Sequence, residues 1–235
     1  SDSLMRGLGV AGADVSYPFF KRYNNFTAVL EPIAQVALSP NVKQVVLGYD
    51  TTGAPIYLNE DGLAFEFDET NLFRPNKFPG YDLYEDGIRA NVGGRASILW
   101  DDGRRASLLI GRSLRTEDND VFSQASGLRT KSSDWIVAAS AEPVRGLSVF
   151  TRARLDSEDF DIARAEAGAN VNSKWGFGYV RYLRDRSSPV ATDPNGRVEN
   201  FDLGGEVYLT KNWSLTAYGN RDLQADAWVV RDIGV

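Results

Sequence analysis

Apolar and polar side chains alternate with a period of two residues through most of this 235-residue chain. Between residues 88 and 101 the even positions are apolar or small and the odd positions are mostly polar, with Leu99 as the exception. The same pattern recurs at 134–142, 147–156, 162–172, 201–209 and 213–220. Because successive side chains of a β-strand point to opposite faces, this period predicts strands with one apolar and one polar face.

Two kinds of connection separate these strands. Asp102-Gly103, Arg145-Gly146 and Lys211-Asn212 are short turn signals, whereas the segments 116–133, 157–161 and 187–200 are long and polar. We count about eleven strands, many near the nine to eleven residues that cross a bilayer at a tilt, against five or six in soluble proteins. Short turns at one end and long loops at the other are typical of outer-membrane barrels. The predicted fold is therefore all-β: an antiparallel, up-and-down transmembrane β-barrel.

A soluble sandwich would also alternate, with its apolar face in the core and its polar face in water. Two features favour lipid instead. The apolar faces are rich in Ala and Gly, as at 163–171, whereas a sandwich core needs interdigitating bulk. All five tryptophans lie beside a turn or loop, as in an interfacial girdle.

The polar faces carry charges of both signs, which would line a hydrated lumen. The predicted lumen-facing residues are Arg89, Arg95, Arg152, Arg154, Arg164, Glu166 and Glu206. The alternative is a solvated outer face with ordinary cross-strand ion pairs.

Composition excludes several classes of function. The chain has no His and no Cys, which removes Ser-His-Asp and Cys-His catalysis and thiolate metal sites. A net charge of −6 argues against nucleic acid. The acidic loops match no EF-hand spacing. The strand carboxylates are too scattered for a glycosidase pair. The lack of His and Cys alone leaves carboxylate-pair and Ser-Lys chemistry open. We expect no enzyme activity, no metal and no cofactor.

The stretch "NLFRPNKFPGYDLYEDGIRANVGG" begins at Asn71 and runs into the strand described first. It resembles a motif of the LptD family, which assembles lipopolysaccharide in the Gram-negative outer membrane. The residues that match are Asn71, Leu72, Phe73, Asn76, Phe78, Gly80, Asp82, Glu85, Gly87, Arg89, Asn91 and Gly93. Lys77 and Leu83 stand where Arg is usual, so Lys77 keeps the charge without the bidentate fork and Leu83 loses the charge.

Two upstream segments, 12–20 and 26–36, are similar to the strands that precede this motif in the family. We expect the constrained loop half of the motif to fold back against the barrel wall or into the lumen, and to anchor Arg89 and Asn91.

The resemblance implies a very large barrel in the cell outer membrane of a Gram-negative bacterium. Its implied partners are lipopolysaccharide as substrate, an LptE-like lipoprotein plug, and a periplasmic bridge that docks on an N-terminal domain. Residues 1–235 are then one partial barrel domain, about eleven strands of a larger barrel, without the periplasmic domain, the first strands and a Cys-bearing final strand. Such a piece has two open edges that lipid cannot satisfy, so we do not expect it to stand as an isolated barrel.

Three functions follow from these patterns. The first is a translocon wall without covalent chemistry, in which lumen-facing arginines contact phosphate or sugar groups, or pair with Glu166 and Glu206. The second is a general porin-like diffusion channel, which would conduct ions. The third is a soluble β-rich secreted binding protein, which would need no detergent.

Overall fold

The computed structural model describes residues 9–41, 46–49, 53, 55–57, 66–78, 83–186 and 197–234. This part of the chain is almost entirely strand. The strands are β1 (Ala11–Ser16), β2 (Phe19–Arg22), β3 (Phe26–Ser39), β4 (Val46–Tyr49), β5 (Pro55–Tyr57), β6 (Gly87–Trp100), β7 (Arg105–Arg115), β8 (Trp135–Val144), β9 (Leu147–Leu155), β10 (Ile162–Ser173), β11 (Gly176–Asp185), β12 (Val198–Tyr208), β13 (Ser214–Asp222) and β14 (Ala227–Gly234). One 3-10 turn, Gln124–Ser126, interrupts the β7–β8 connection. Among the described residues no helix is long and apolar enough to span a membrane.

Twelve of the strands form one antiparallel sheet in the order β1-β3-β6-β7-β8-β9-β10-β11-β12-β13-β14, with β2 also paired to β3. The predicted all-β, antiparallel, up-and-down order is confirmed. Because β1 and β2 share one edge of β3, the sheet has eleven strand positions, which is the number predicted. The sheet is open over the described residues, with β1 and β14 at its edges. A separate hairpin of β4 and β5 was not predicted.

The break between β1 and β2 has a cause in β3. Ser16 pairs with Ile33 and Phe19 pairs with Leu30, so the break lies opposite Pro32. Pro32 has no N–H to donate, although its carbonyl still accepts from Tyr17 N at 3.3 Å. The sheet therefore interrupts its edge strand at the place where β3 lacks a donor.

The two ends of the sheet differ, as predicted. We call the end that carries the connections after β3, β7, β9, β11 and β13 the long-loop rim, and the opposite end the short-turn rim. Gly103 and Gly146 lie in turns at the short-turn rim with φ of +89° and +82°, which only glycine adopts readily. The tryptophans follow the two rims: Trp135 and Trp228 begin strands at the long-loop rim, and Trp100, Trp175 and Trp213 lie at the short-turn rim.

The two faces of the sheet also differ. Residues 66–78 and 83–86, which we call the motif loop, pack on one face, hereafter the covered face; the opposite one is the bare face. One row across β7–β10 on the covered face reads Leu109, Ala138, Arg152 and Glu166. The adjacent row on the bare face reads Ile110, Val137, Ala153 and Ala165. The predicted alternation thus appears in the register of the strands.

The main apolar cluster lies between the motif loop and the covered face. It consists of Phe67, Leu72, Phe78, Leu109, Phe122, Leu128 and Ile136. The motif loop contacts the sheet at a pair of glycines, Gly93 and Gly111, which are cross-strand partners in β6 and β7. A Cβ at Gly111 would lie 2.7 Å from Leu72 Cδ2, and one at Gly93 would lie 3.1 Å from Phe73 Cζ. The motif loop therefore packs directly on the backbone of β6 and β7, where the two glycines have no side chains.

We predict that Gly93→Ala destabilises the protein by about 1–3 kcal/mol, the usual cost of overpacking. The new Cβ would lie 2.5 Å from the Ile110 carbonyl oxygen, which belongs to the sheet and cannot move freely. The measurement is urea unfolding in lipid bilayers.

Gly94→Ala is the matched control on the bare face. Its Cβ would meet Glu31 O at 3.7 Å, an ordinary contact. Equal unfolding midpoints for the two variants would contradict the close contacts around Gly93.

Candidate functional site: the covered face

A buried carboxylate fixes the motif loop to the sheet. Glu85 is fully buried and is surrounded by three cations. Its oxygens lie 2.6 Å from Arg115 Nη2, 3.4 Å from Lys77 Nζ and 3.5 Å from Arg89 Nε. It also accepts from Lys77 N at 3.1 Å. Charge-assisted bonds of this kind tolerate burial because each partner is satisfied by the other.

The cluster continues across the sheet as a chain of hydrogen bonds. Lys77 Nζ donates to Asn91 Oδ1 at 3.1 Å, and Asn91 Nδ2 donates to Gln35 Oε1 at 2.6 Å. Gln35 Nε2 then donates to the carbonyl of Phe73 at 2.7 Å. The motif loop is therefore bonded to β3, β6 and β7 at once.

Arg89 forms the second anchor. Its Nε donates to the Pro75 carbonyl at 2.8 Å, and its Nη2 donates to Ser39 Oγ at 3.0 Å. The loop thus folds back on the sheet as the sequence led us to expect, and it fixes both Arg89 and Asn91. Gly87, with φ of +78°, supplies the left-handed residue at which the motif loop enters β6.

The remaining motif residues shape the loop itself. Asn71 Nδ2 donates to the Glu66 carbonyl at 2.5 Å, and Asn76 Oδ1 accepts from Glu85 N at 3.2 Å. Phe78 stacks on Phe122 with ring centroids 4.5 Å apart. Leu83, where the family usually has Arg, packs against the apolar cluster. Gly80 and Asp82 lie outside the described residues.

Burial lowers the pKa of the Lys77 ammonium group. Desolvation is the main cause that lowers the pKa of Lys77 from 10.5 to about 8, and the nearby Glu85 carboxylate opposes it. Lys77 thus replaces the usual Arg with a cation that can lose its proton near neutral pH.

The prediction from sequence did not include Arg115 and Gln35 in this cluster. Arg115 pairs with Arg89 across β6 and β7. Counting outward from the Asp102-Gly103 turn would have found that pair, because a tight turn fixes the register of its hairpin. No local pattern marks Gln35, whose role depends on the β3–β6 pairing.

A second charged cluster lies on the covered face of β8–β12. Arg152 lies 2.8 Å from Glu69 and 3.7 Å from Glu166. Arg164 contacts Glu66 and lies 2.9 Å from Asp185. These pairs tie the start of the motif loop to β9 and β10.

Arg154 belongs to the same cluster but is more enclosed. Arg154 Nε lies 3.5 Å from Asp134 Oδ2, and its Nη1 donates to the Ser126 carbonyl at 2.9 Å. Burial, the largest cause in each case, raises the pKa of Glu66, Glu69 and Asp134 above the ordinary carboxyl range. The arginine partners oppose that rise, so these carboxyls depend on their ion pairs to stay charged.

The residues predicted to face the lumen all lie on the covered face, but they differ in accessibility. Arg89, Arg154 and Arg164 are mostly enclosed by their partners. Arg95 and Arg152 have side chains 48% and 44% exposed, at 3.2 Å and 2.8 Å from Glu31 and Glu69.

Two further residues complete the covered face. Arg181, which was not among the predicted residues, is 50% exposed and lies 3.2 Å from Asp202. Glu206 pairs with Phe177 and Thr216 in the sheet register. Over the described ranges no cluster of three metal-ligating side chains occurs.

The covered face and its loop can be compared with known proteins. The family model LptD, described as "LPS transport system D", matches residues 1–213. The chain belongs to the LptD family. A curated relative, the LPS-assembly protein LptD of Saccharophagus degradans, is 25% identical over 228 residues, which are 92% of this chain and 26% of the relative.

This LptD-family chain thus spans about a quarter of the length of that relative. The family match covers the motif loop and all strands of the sheet up to β12.

We predict that Glu85→Gln releases the motif loop. The substitution keeps the shape but leaves three buried cations without their carboxylate, a loss of about 3–5 kcal/mol for a buried pair. A cysteine introduced at the fully buried Leu72 reports the release, because maleimide reacts with it only when the loop leaves the sheet.

The matched control is Glu31→Gln. Its partner Arg95 is half-exposed, so this change costs within about 1 kcal/mol and leaves Leu72→Cys shielded. Equal labelling of the two backgrounds would contradict the role given to Glu85.

We predict a pH dependence that comes from Lys77. Between about pH 8 and 10.5 the folded protein releases the Lys77 proton while the unfolded chain keeps it, so the free energy of unfolding rises with pH. The gain from this group is about 2 kcal/mol between about pH 8 and pH 10. Urea unfolding of the protein and of Lys77→Met at both pH values measures it. A pH slope equal in the two proteins would refute the assignment.

Proposed function

We propose that this chain forms part of the wall of an outer-membrane barrel that assembles lipopolysaccharide into the outer leaflet of a Gram-negative bacterium, without covalent chemistry. The observation that carries the proposal is the two-faced sheet of an LptD-family chain. Its bare face is largely apolar, and its covered face holds paired charges beneath a folded-back loop.

The bare face faces lipid in this proposal. Strands β7 to β13 have 9 to 12 residues, which fits a bilayer crossing at a tilt. The tryptophans at both rims support two membrane interfaces. Long loops are extracellular in barrels of this type, so the long-loop rim lies at the cell surface.

The covered face lines a hydrated lumen in which the motif loop occupies part of the space. Enclosed arginines such as Arg89 and Arg154 hold loops in place. Half-exposed Arg95, Arg152 and Arg181 remain available to phosphate and sugar groups of a passing glycolipid. Glu166 and Glu206 keep the lumen charge mixed.

The partners follow from the same proposal. Lipopolysaccharide is the substrate, an LptE-like lipoprotein plugs the lumen, and a periplasmic bridge reaches the barrel through an N-terminal domain. Residues 1–235 are one partial barrel domain. The open edges at β1 and β14 pair with further strands, because unpaired backbone cannot face lipid.

We predict that Arg152→Ala lowers the delivery of lipopolysaccharide to the cell surface by about ten-fold, the effect of losing one charge-assisted hydrogen bond. Folded barrel should remain abundant. Antibody staining of surface lipopolysaccharide, survival in detergent, and gel mobility of unheated protein measure delivery and folding separately.

Two comparisons sharpen this test. Arg154→Ala removes an enclosed side chain and should reduce folded barrel itself. Arg129→Ala removes a loop arginine that pairs with Asp120 at 3.0 Å, and should change neither reading. Normal surface lipopolysaccharide and detergent resistance in Arg152→Ala would argue against a substrate role for the covered face.

A further inference from the structure

Arg112 lies on the bare face, near the long-loop rim. In the register of β7 and β8, Ile110 pairs with Val137 on the bare face. Arg112 and Trp135 each lie two residues beyond that pair, so they extend the same face toward the rim. Arg112 Cζ lies 4.8 Å from the centre of the Trp135 ring. A guanidinium on a lipid-facing surface is costly at the bilayer centre and tolerated only near the headgroups.

The bonding of Arg112 leaves capacity for a ligand. Its Nη2 donates to the Ser133 carbonyl at 2.7 Å, a neutral acceptor. Arg112 Nε and Trp135 Nε1 are buried atoms that have no hydrogen-bond partner among the described residues. Asp134, the nearest acid in sequence to Trp135, forms its ion pair with Arg154 at 3.5 Å, and Arg112 is a weaker electrostatic neighbour of that carboxylate.

A strained aromatic completes the arrangement. Phe160 stacks on Trp135 with ring centroids 6.5 Å apart and an interplanar angle of 24°. Phe160 has φ of +60°, which is costly for a side chain of this size, and it is 58% exposed. The β9–β10 loop thus exposes the Phe160 ring against Trp135, the ring that Arg112 contacts. In a soluble protein, an apolar ring of this size would usually be buried.

The acids of that loop are largely occupied by the loop itself. Asp156 Oδ1 accepts from Glu158 N at 2.8 Å, and Asp159 Oδ1 accepts from Asp161 N at 2.8 Å. Asp161 also lies 2.9 Å from Arg186 Nη1. Among the described residues no ion pair joins Arg112 to an acid of this loop.

The arrangement recurs at the same rim. Arg221 and Trp228 are cross-strand partners in β13 and β14, with Arg221 Cζ 5.8 Å from the Trp228 ring. In both hairpins the arginine is on the strand that ends at the long-loop rim, and the tryptophan is on the strand that begins there. Arg221 forms an ion pair with Asp226, whereas Arg112 forms no ion pair in the part of the chain that the structure describes, so Arg112 is the more available cation.

We infer that Arg112, Trp135 and Phe160 form a docking site for the phosphate of an anionic membrane lipid in the leaflet at the long-loop rim. Arg112 binds the phosphate, and the two rings lie among the upper acyl carbons. This inference rests on the proposed position of the bare face in the bilayer. The occupant is a lipid of the surrounding leaflet, held on the outer wall of the barrel.

The test uses the protein purified from its own membrane and placed in nanodiscs of phosphatidylcholine, alone or with about one-fifth phosphatidylglycerol. Native mass spectrometry counts the phosphatidylglycerol retained. Arg112→Gln should lower retention by about ten-fold, the loss of one charge-assisted hydrogen bond. Arg129→Gln removes the same charge from a loop at the same rim and should retain as much lipid as the parent.

Phe160→Gly separates binding from folding. Glycine relieves the positive φ, so stability in urea should hold or rise while lipid retention falls. A purely structural role for Phe160 would move both together.

Retention in Arg112→Gln equal to the parent, or an equal loss in Arg112→Gln and Arg129→Gln, would overturn the inference. So would competition by inorganic phosphate at millimolar concentration, since it would identify a free-anion site. If the parent inserts into nanodiscs but shows no preference for phosphatidylglycerol, this inference alone fails. If it does not insert, the proposed membrane wall fails with it.

Discussion

Glu85 holds three buried cations, and the rest of the covered face depends on that contact. The carboxylate belongs to the motif loop, whereas Arg89 and Arg115 belong to neighbouring strands, so the ion pairs bind loop and sheet into one unit. Leu72 and Phe73 can then rest on the backbone of Gly111 and Gly93. Without the carboxylate the same three cations would repel each other in a site without water, and this repulsion would favour release of the motif loop from the sheet.

The strands transmit this asymmetry along the sheet. Because each residue alternates between faces and tight turns fix the register, charges that belong together on the covered face are brought into one row, as Arg152 and Glu166 are. The same register collects Ile110, Val137, Ala153 and Ala165 on the bare face. One property of the backbone thus creates one charged face and one apolar face. Both faces end at the two rims, where the tryptophans lie.

The sequence predicted the parts of this structure that depend on local pattern. Strand periodicity and turn residues predicted the antiparallel order and the two rims, and they placed the seven charged residues named from the pattern on one face of the sheet, since these follow from the pleat and from turn geometry. It did not foretell which arginines are enclosed: Arg95 and Arg154 look alike in alternation, but only Arg154 meets Asp134 and the Ser126 carbonyl from a folded loop. Gln35 and Arg181 were missed for the same reason, because their partners come from other strands. The hairpin of β4 and β5 lacks the long alternation that marked the other strands.

In the proposed barrel, the covered face meets water and the bare face meets lipid. Spin labels placed singly along β10, from residue 163 to residue 171, test it most directly in reconstituted bilayers. Collision with oxygen, which concentrates in lipid, should peak at Ala163, Ala165, Ala167 and Ala169. Collision with a water-soluble nickel chelate should peak in antiphase, at the even-numbered positions Gly168 and Asn170. Equal nickel accessibility at every position would place both faces in water and contradict the account.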